Sequence, residues 1–165
     1  MRRTFSAELH KQMAKNNKIW LLVGDLGFGM WDKVRDDYPD RYLNCGASEQ
    51  AMLDIACGLA IEGKIPFVYS ITTFLLYRPF ETLRTYINHE KLNVKLIASG
   101  RDKDYEIDGI SHWSEDAWRL FRENHNSTGI LNNIRSYWPE TKEEIPSIVD
   151  KMLKSNLPDF VSLRR

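Results

Sequence analysis

Three short stretches of the sequence carry residue types that can do chemistry. In the first, CGASEQAML at 45–53, Glu49 stands where a glycine-containing loop runs into small apolar residues. The second, FLLYR at 74–78, places two aromatic rings and a guanidinium at helical spacing. The third, DGISH at 108–112, sets a carboxylate and an imidazole in a polar loop. These side chains offer acid–base exchange, ring stacking and hydrogen bonding to a polar ligand.

Each stretch also has a structural interpretation, which the residues alone leave open. A carboxylate in the first turn of a helix gains about 0.3–1 kcal/mol from the helix dipole, so Glu49 is also typical of a helix cap. Aromatic residues at helical spacing usually pack in a core, and Arg78 with Glu81 and Arg84 is typical of a solvated, salt-bridged face. A histidine in a polar loop favours function, but a single Asp–His pair defines no reaction.

An alternation of strands and helices must position these stretches. Short apolar runs predict buried strands at 18–23, 66–71, 94–99 and 160–163, and weaker strands at 41–44 and 129–131. Apolar periodicity predicts helices at 5–14, 48–61, 74–89, 115–124 and 143–153, with Ile55 and Trp118 facing inward. We therefore expect one α/β domain over residues 1–165, with an open, mostly parallel sheet and helices on both faces. Ligands bind beyond the carboxyl ends of such strands, where the three stretches fall.

The composition excludes several classes of function. Lys plus Arg and Asp plus Glu number 23 each, so the zero formal charge does not favour an electrostatic nucleic-acid binder. No apolar run approaches ~20 residues, and we expect no membrane span. The polar N-terminus lacks an apolar signal core, which predicts a cytoplasmic protein with reduced thiols. Cys45 and Cys57 form no metal-binding pattern, so no metal site is expected in this chain.

Five motifs in chain order resemble one enzyme family. They are Gly-Asp-Leu-Gly at 24–27, Asn-x-Gly-x-Ser-Glu-Gln-x-Met at 44–52, Ala-x-Gly-Leu-Ala-x-x-Gly-x-x-Pro at 56–66, Thr-Phe-x-x-x-Arg-x-x-Glu-x-x-Arg at 73–84 and Asp-Gly-x-Ser-His-x-x-Glu-Asp at 108–116. Together they are similar to the pyrimidine-binding domain of transketolases, which are thiamine-diphosphate enzymes. The resemblance runs from about residue 5 to the C-terminus.

The resemblance implies a set of cofactor-binding residues. Glu49 matches the family's glutamate that hydrogen-bonds the aminopyrimidine and activates thiamine diphosphate. A carboxyl with that role exchanges a proton with a ring nitrogen near neutral pH. Phe74 matches the aromatic residue that stacks on the pyrimidine, with Ile71 and Tyr77 at neighbouring pocket positions. Asp25 matches an aspartate at the cofactor edge near the boundary between two chains, where we expect a positioning role.

The resemblance also implies a substrate loop and a partner. Asp108 and His112 match residues that face the sugar substrate, and His112 would bond a hydroxyl or the donor's oxygen. The family binds the diphosphate through Mg²⁺ in a second domain, with Gly-Asp-Gly followed by Asn, and this chain lacks that motif. We therefore expect a separate diphosphate-binding subunit that holds Mg²⁺, in an α₂β₂ assembly.

Three functions are consistent with these residues. The first is the small subunit of a split transketolase-like enzyme that transfers a two-carbon ketol unit between sugar substrates. The second is a subunit of a deoxyxylulose-phosphate-synthase-like or decarboxylating carboligase, which would use pyruvate and release carbon dioxide. The third is a cofactor-free binding or regulatory module, against which the joint presence of Glu49, Phe74 and His112 argues.

Overall fold

Parallel strands form the centre of the fold. The computed structural model describes residues 1–121 and 129–165, and in these residues six strands build one sheet. They are β1 (Ile19–Val23), β2 (Tyr42–Asn44), β3 (Ile65–Ile71), β4 (Lys95–Ser99), β5 (Arg135–Tyr137) and β6 (Asp159–Leu163). Their order is β2-β1-β3-β4-β6-β5, and every neighbouring pair is parallel. The predicted α/β fold with an open parallel sheet is confirmed.

Helices cover both faces of this sheet. They are α1 (Arg2–Lys15), α2 (Asp32–Asp37), α3 (Glu49–Ile61), α4 (Thr72–Tyr77), α5 (Phe80–Thr82) and α6 (Ile145–Lys154), and a π-helix spans Leu83–His89. Short 3₁₀ turns occupy Pro39–Arg41, Glu106–Asp108, Ile110–His112, Ala117–Leu120 and Lys142–Glu144. α1 and α6 pack on one face, and α3 and the π-helix pack on the other.

Alternate strand residues divide the core into two layers. Leu21 and Phe67 are paired in register and face the layer under α1 and α6. The next pair, Leu22 and Val68, faces the layer under α3, and all four side chains are fully buried. Because successive side chains of a strand point to opposite faces, a strand covered on both sides carries an unbroken apolar run. The apolar runs therefore located the central strands.

The predicted continuous helix at 74–89 is wrong. α4 begins earlier, at Thr72, and Pro79 separates it from α5. Proline lacks the backbone N–H of the helix ladder, and its ring crowds the preceding turn, so the helix is interrupted there. The last part of the segment winds as the π-helix instead of an α-helix. The interruption leaves Arg78 at the exposed C-terminal end of α4.

Two side chains predicted to face inward are exposed instead. Ile55 is 41% exposed because the buried stripe of α3 follows Met52 and Ala56 on the opposite side. Trp118 is 38% exposed because its segment is the 3₁₀ turn Ala117–Leu120, which turns Ala117 inward and Trp118 outward. Residues 122–124 of that predicted helix lie outside the described residues.

The predicted strand at 129–131 is also wrong. Leu131 is buried and makes one isolated bridge to Phe121, whereas Ile130 is 56% exposed. A single buried side chain does not hold a strand against the sheet. The outer edge is formed instead by β5, which follows a few residues later and pairs with β6.

Candidate functional site

Glu49 is a buried carboxylate at the first position of α3. Its side chain is only 1% exposed. Ser70 Oγ donates a hydrogen bond to Oε1 at 2.7 Å, and Arg78 Nη1 pairs with Oε2 at 2.7 Å. The N-cap residue, Ser48, makes no side-chain hydrogen bond to the helix. Glu49 therefore ties α3 to β3 and α4 at the carboxyl edge of the sheet, and both of its oxygens contact side chains outside α3.

Gly24, the residue after β1, leaves room for this carboxylate. A Cβ at that position would lie 3.2 Å from Glu49 Oε1 and 3.3 Å from Ser70 Oγ. Both distances are shorter than an ordinary van der Waals contact, so any larger residue would push on the hydrogen-bonded pair. The glycine of the first motif thus permits the close approach of β1 to Glu49.

Phe74 forms an aromatic wall beside Glu49. The guanidinium carbon of Arg78 lies 3.6 Å from the Phe74 ring centroid, so the same guanidinium contacts both the ring and the Glu49 carboxylate. The imidazole of His112 meets the ring edge-to-face, with centroids 4.8 Å apart. Three residues predicted from separate motifs, Glu49, Phe74 and His112, are therefore brought into one cluster.

The loop that carries His112 is fastened to α4. Thr73 Oγ1 donates to the carbonyl oxygen of Ser111 at 2.7 Å, and Ser111 Oγ lies 3.0 Å from His112 Nδ1. Gly109 has φ of +82° between the two 3₁₀ turns of the loop, a conformation that favours glycine. These contacts direct His112 onto Phe74, whereas Asp108 is exposed on the same loop.

Tyr77 lies on the side of α4 that faces the acidic end of this loop. Its hydroxyl donates to Asp116 Oδ1 at 2.8 Å. Burial raises the pKa of Tyr77, and the hydrogen bond to the carboxylate raises it further, so the phenol stays neutral. Beside it lies a surface cavity of about 400 Å³, lined also by Thr73, Ile110 and Trp113. Tyr77 therefore borders an open surface cavity beside the loop that carries His112.

Asp25 follows the end of β1 by two residues, and Ile71 is the last residue of β3. Asp25 adopts φ of +54°, an uncommon conformation outside glycine, and Asn44 holds it in place. Asn44 Oδ1 accepts from the Asp25 backbone N–H at 3.1 Å and from that of Gly46 at 3.0 Å, while Asn44 Nδ2 donates to Asp25 Oδ1 at 2.9 Å. Ile71 ends β3 as the N-cap residue of α4 and is half-buried.

Ser70 and Arg78 are two members of the cluster that the motifs did not assign. Ser70 lies in a predicted strand, where a small polar residue carries no signal of its own. Arg78 follows Phe74 by four residues, which is the spacing that brings two side chains to one face of a helix, and this signal was available. The sequence had suggested a solvated face, whereas in the structure Arg78 pairs with the buried Glu49 carboxylate.

The part of the chain that the structure describes contains neither a cluster of metal ligands nor a helix that could span a membrane. Across residues 1–121 and 129–165, no three His, Cys, Asp or Glu side chains are grouped so as to hold a metal ion. In the same residues, no helix combines the length and the apolar character needed to cross a membrane.

Comparisons with known proteins agree with this geometry. The family described as "Transketolase, pyrimidine binding domain" matches residues 1–165. The 6-deoxy-6-sulfo-D-fructose transketolase subunit SqwH of a Clostridium species is 25% identical over 100% of this chain and 49% of its own length. One of the subunits of the apulose-4-phosphate transketolase of Actinobacillus succinogenes is 27% identical over 77% of this chain and 39% of its own length.

A solved structure gives the same result. The structure described as "Split gene transketolase, inactive beta4 tetramer" superposes with a TM-score of 0.83 and 28% identity, over 99% of this chain and 51% of that chain. The chain thus spans about half or less of the length of these relatives. The resemblance indicated by the five motifs is confirmed, and this chain belongs to the transketolase pyrimidine-binding-domain family.

Proposed function

We propose that this chain is the pyrimidine-binding subunit of a thiamine-diphosphate-dependent, transketolase-like transferase. One observation carries the proposal: the buried Glu49 carboxylate and the Phe74 ring share one flat group, the Arg78 guanidinium. A carboxylate and an aromatic face that meet at one planar N–H donor are the two contacts that an aminopyrimidine requires. The transketolase subunits among its relatives support the same function.

The residues of the cluster fit the pyrimidine half of the cofactor. The guanidinium is planar, bears N–H donors, lies 3.6 Å above the ring centroid and donates to Glu49 at 2.7 Å. It shows that a flat donor can stack on Phe74 and reach Oε2 at the same time. Thiamine diphosphate supplies the nucleophilic carbon of its thiazolium ring, and the covalent chemistry is its own.

Glu49 is the proton-exchanging group of this mechanism. Ser70 holds Oε1, so Oε2 is the oxygen that can share a proton with a ring nitrogen placed on Phe74. Burial of the side chain keeps bulk water from competing for that hydrogen bond. The chain thereby fixes the distance and orientation of the Glu49 carboxylate relative to the ring before the reaction. Such positioning is a large part of what a protein contributes to cofactor chemistry.

His112 and Asp108 are the proposed substrate contacts. His112 Nδ1 is engaged by Ser111, which leaves Nε2 to bond a substrate hydroxyl or the oxygen of the donor. Asp108 is exposed on the same loop and can accept a bond from a sugar hydroxyl. A polyhydroxylated ketose as the donor of a two-carbon unit suits these groups.

A separate chain completes the proposed enzyme. The sequence lacks the family's Gly-Asp-Gly and later Asn, so the diphosphate and its Mg²⁺ would be held by a second, transketolase-like subunit. An α₂β₂ assembly would place each pyrimidine pocket opposite one diphosphate site. Exposed apolar residues near the site, including Ile107 at 97% and Ile110 at 77%, provide surface that such a partner can cover.

Reconstitution tests the function. We expect ketol transfer from a ketose to an aldose only when this chain, a partner chain with Gly-Asp-Gly and a later Asn, thiamine diphosphate and Mg²⁺ are all present. Turnover is measured with each component left out in turn. Failure of the assembled chains to bind the cofactor would contradict the proposal, and carbon dioxide release from pyruvate would favour the decarboxylating alternative.

His112 should act on the substrate rather than on the cofactor. We expect His112→Ala to lower kcat/KM by about 10²-fold in the assembled enzyme, because a directed hydrogen bond to the reacting substrate is lost. Cofactor affinity, measured by titration, should stay within about twofold, since only the edge contact with Phe74 disappears.

The matched control is His89→Ala, because His89 is a 78%-exposed histidine on the π-helix. It should leave both quantities unchanged. If His112→Ala instead weakened cofactor binding more than tenfold and left kcat/KM at saturating cofactor intact, its placement at the substrate would be wrong.

A further inference from the structure

Arg78 occupies the two surfaces that the proposed pyrimidine site must offer. Its guanidinium covers the Phe74 ring at 3.6 Å, which is the thickness of one stacked group. Its Nη1 donates a hydrogen bond to Glu49 Oε2 at 2.7 Å, while Oε1 accepts one from Ser70. A second flat ring cannot lie on the same face of Phe74 while Arg78 remains there, and its N–H donor would have to share Oε2 with Nη1.

The burial of the two partners decides which of them can move. The Glu49 side chain is 1% exposed and is fixed by Ser70, so its displacement would break a buried hydrogen bond. The Arg78 side chain is 46% exposed. A guanidinium that swings outward from this position is rehydrated at once, whereas the Glu49 carboxylate keeps its bond from Ser70 and needs a new donor at Oε2. An incoming ring with an N–H group can supply that donor.

The backbone around Arg78 favours that movement. Arg78 is the C-cap residue of α4, and Pro79 interrupts the helix directly after it. The side chain therefore projects from the end of a six-residue helix next to solvent and is not enclosed between neighbouring turns. Phe74 and Glu49 stay anchored in α4 and α3 when the arginine side chain rotates.

We propose that Arg78 is an internal ligand of the pyrimidine pocket, which closes the pocket in the free chain and must swing out when the cofactor binds. This role rests on the proposed function and adds a gate to it. Arg78 imitates the incoming ring in its planarity, its stacking on Phe74 and its N–H donation to Glu49, and so protects both residues from other ligands until a group with better complementarity displaces it.

Gating predicts that removal of Arg78 strengthens binding. The contacts of the half-exposed Arg78 with Glu49 and Phe74 must be broken before a ring can bind, and such contacts are of modest strength. Arg78→Ala should therefore bind an aminopyrimidine about five- to tenfold more tightly than the unaltered chain. The probes are 4-amino-2-methylpyrimidine and thiamine diphosphate, titrated against the full-length chain by calorimetry or ligand-observed NMR. Arg78→Lys retains the charge but not the plane, and should fall between the two.

The matched control is Arg84→Ala. Arg84 is an exposed arginine on the π-helix, and it lines a different surface cavity. Its removal should leave the affinity unchanged, which separates the gate from a general loss of positive charge. Thermal unfolding of each variant establishes that the chains compared are folded.

A spectroscopic measurement tests the movement itself. With ¹⁵N-labelled arginine, the side-chain signal that is lost in Arg78→Ala should shift when either probe is added to the unaltered chain. The signal of Arg84 should not shift. A stationary Arg78 signal in the presence of bound probe would overturn the gate.

The outcomes distinguish the gate from the function on which it rests. If Glu49→Ala abolishes probe binding while Arg78→Ala binds equally or more weakly than the unaltered chain, the gate is wrong and the pyrimidine site stands. If neither probe binds to any of these chains, the gate is overturned, and cofactor binding by the assembled chains then decides the function. Tighter binding by Arg78→Ala together with loss of binding by Glu49→Ala supports both.

Discussion

Glu49→Gln is expected to lower kcat of the assembled enzyme by about 10²- to 10⁴-fold, the range typical of a lost proton-exchanging group. Glutamine has nearly the shape of glutamate and can still accept the hydrogen bond from Ser70, so the architecture around α3 should persist. Its amide cannot exchange a proton with a ring nitrogen, and the proposed activation step is lost. Steady-state kinetics at saturating thiamine diphosphate measure the effect.

Glu62→Gln provides a matched control on the same helix. Glu62 is the exposed C-cap residue at the far end of α3, so the same change of charge there should leave kcat within about twofold. Full turnover by Glu49→Gln would refute the role of this carboxylate. Reduced turnover in both variants would point to a general effect of charge on the whole chain.

The central part of the fold was predictable because burial on both faces of a parallel sheet leaves a direct trace in the residues. The runs at 18–23 and 94–99 became β1 and β4 with nearly these bounds. The edge strand β5 was missed because its sequence is Arg-Ser-Tyr, half-exposed and polar, and no apolar run marks it. The break at Pro79 was missed because apolar periodicity alone continues through it.

The candidate site was predictable as a set of motifs but not as a set of contacts. The motifs identified Glu49, Phe74 and His112 individually. The local sequence around Glu49 left two interpretations open, a helix cap and an acid–base group. The structure adds the contacts of Glu49 with Ser70 and Arg78, which lie 21 and 29 residues further along the chain. Such contacts depend on the strand register and on the direction of α4, and neither can be deduced from the local pattern.

A buried charge inside an apolar strand is a second feature that the sequence pattern conceals. The predicted strand at 94–99 contains Lys95. From the sequence alone, this lysine cannot be distinguished from one at the edge of a sheet whose ammonium group reaches solvent. The structure buries it completely at the start of β4, opposite Asp159 at the start of β6. Its ammonium donates to Asp159 Oδ2 at 2.7 Å and to the carbonyl oxygens of Ser155 and Leu157 at 3.1 and 2.8 Å.

This ion pair is costly to form and more costly to break. Burial lowers the pKa of Lys95 because loss of hydration outweighs the attraction of Asp159. Removal of the carboxylate would leave the ammonium buried with carbonyl oxygens as its acceptors and without a counter-charge. Removal of the lysine is less severe, because Asp159 Oδ1 is also paired with Arg135 at 2.8 Å.

Asp159→Leu is therefore expected to lower the free energy of unfolding by about 3–5 kcal/mol, the range for a buried pair that loses one member. Lys95→Met should cost clearly less, and the double variant should regain much of the loss, since two apolar side chains then face each other across β4 and β6. Denaturant unfolding of the full chain measures all three.

The matched control is Asp150→Ala, which breaks the exposed pair with Lys154 and should cost about 0.3–0.5 kcal/mol. Equal losses for Asp159→Leu and Asp150→Ala would show that the buried pair does not govern stability. A double variant as unstable as Asp159→Leu would mean that packing around Asp159, and not the stranded lysine charge, accounts for the loss.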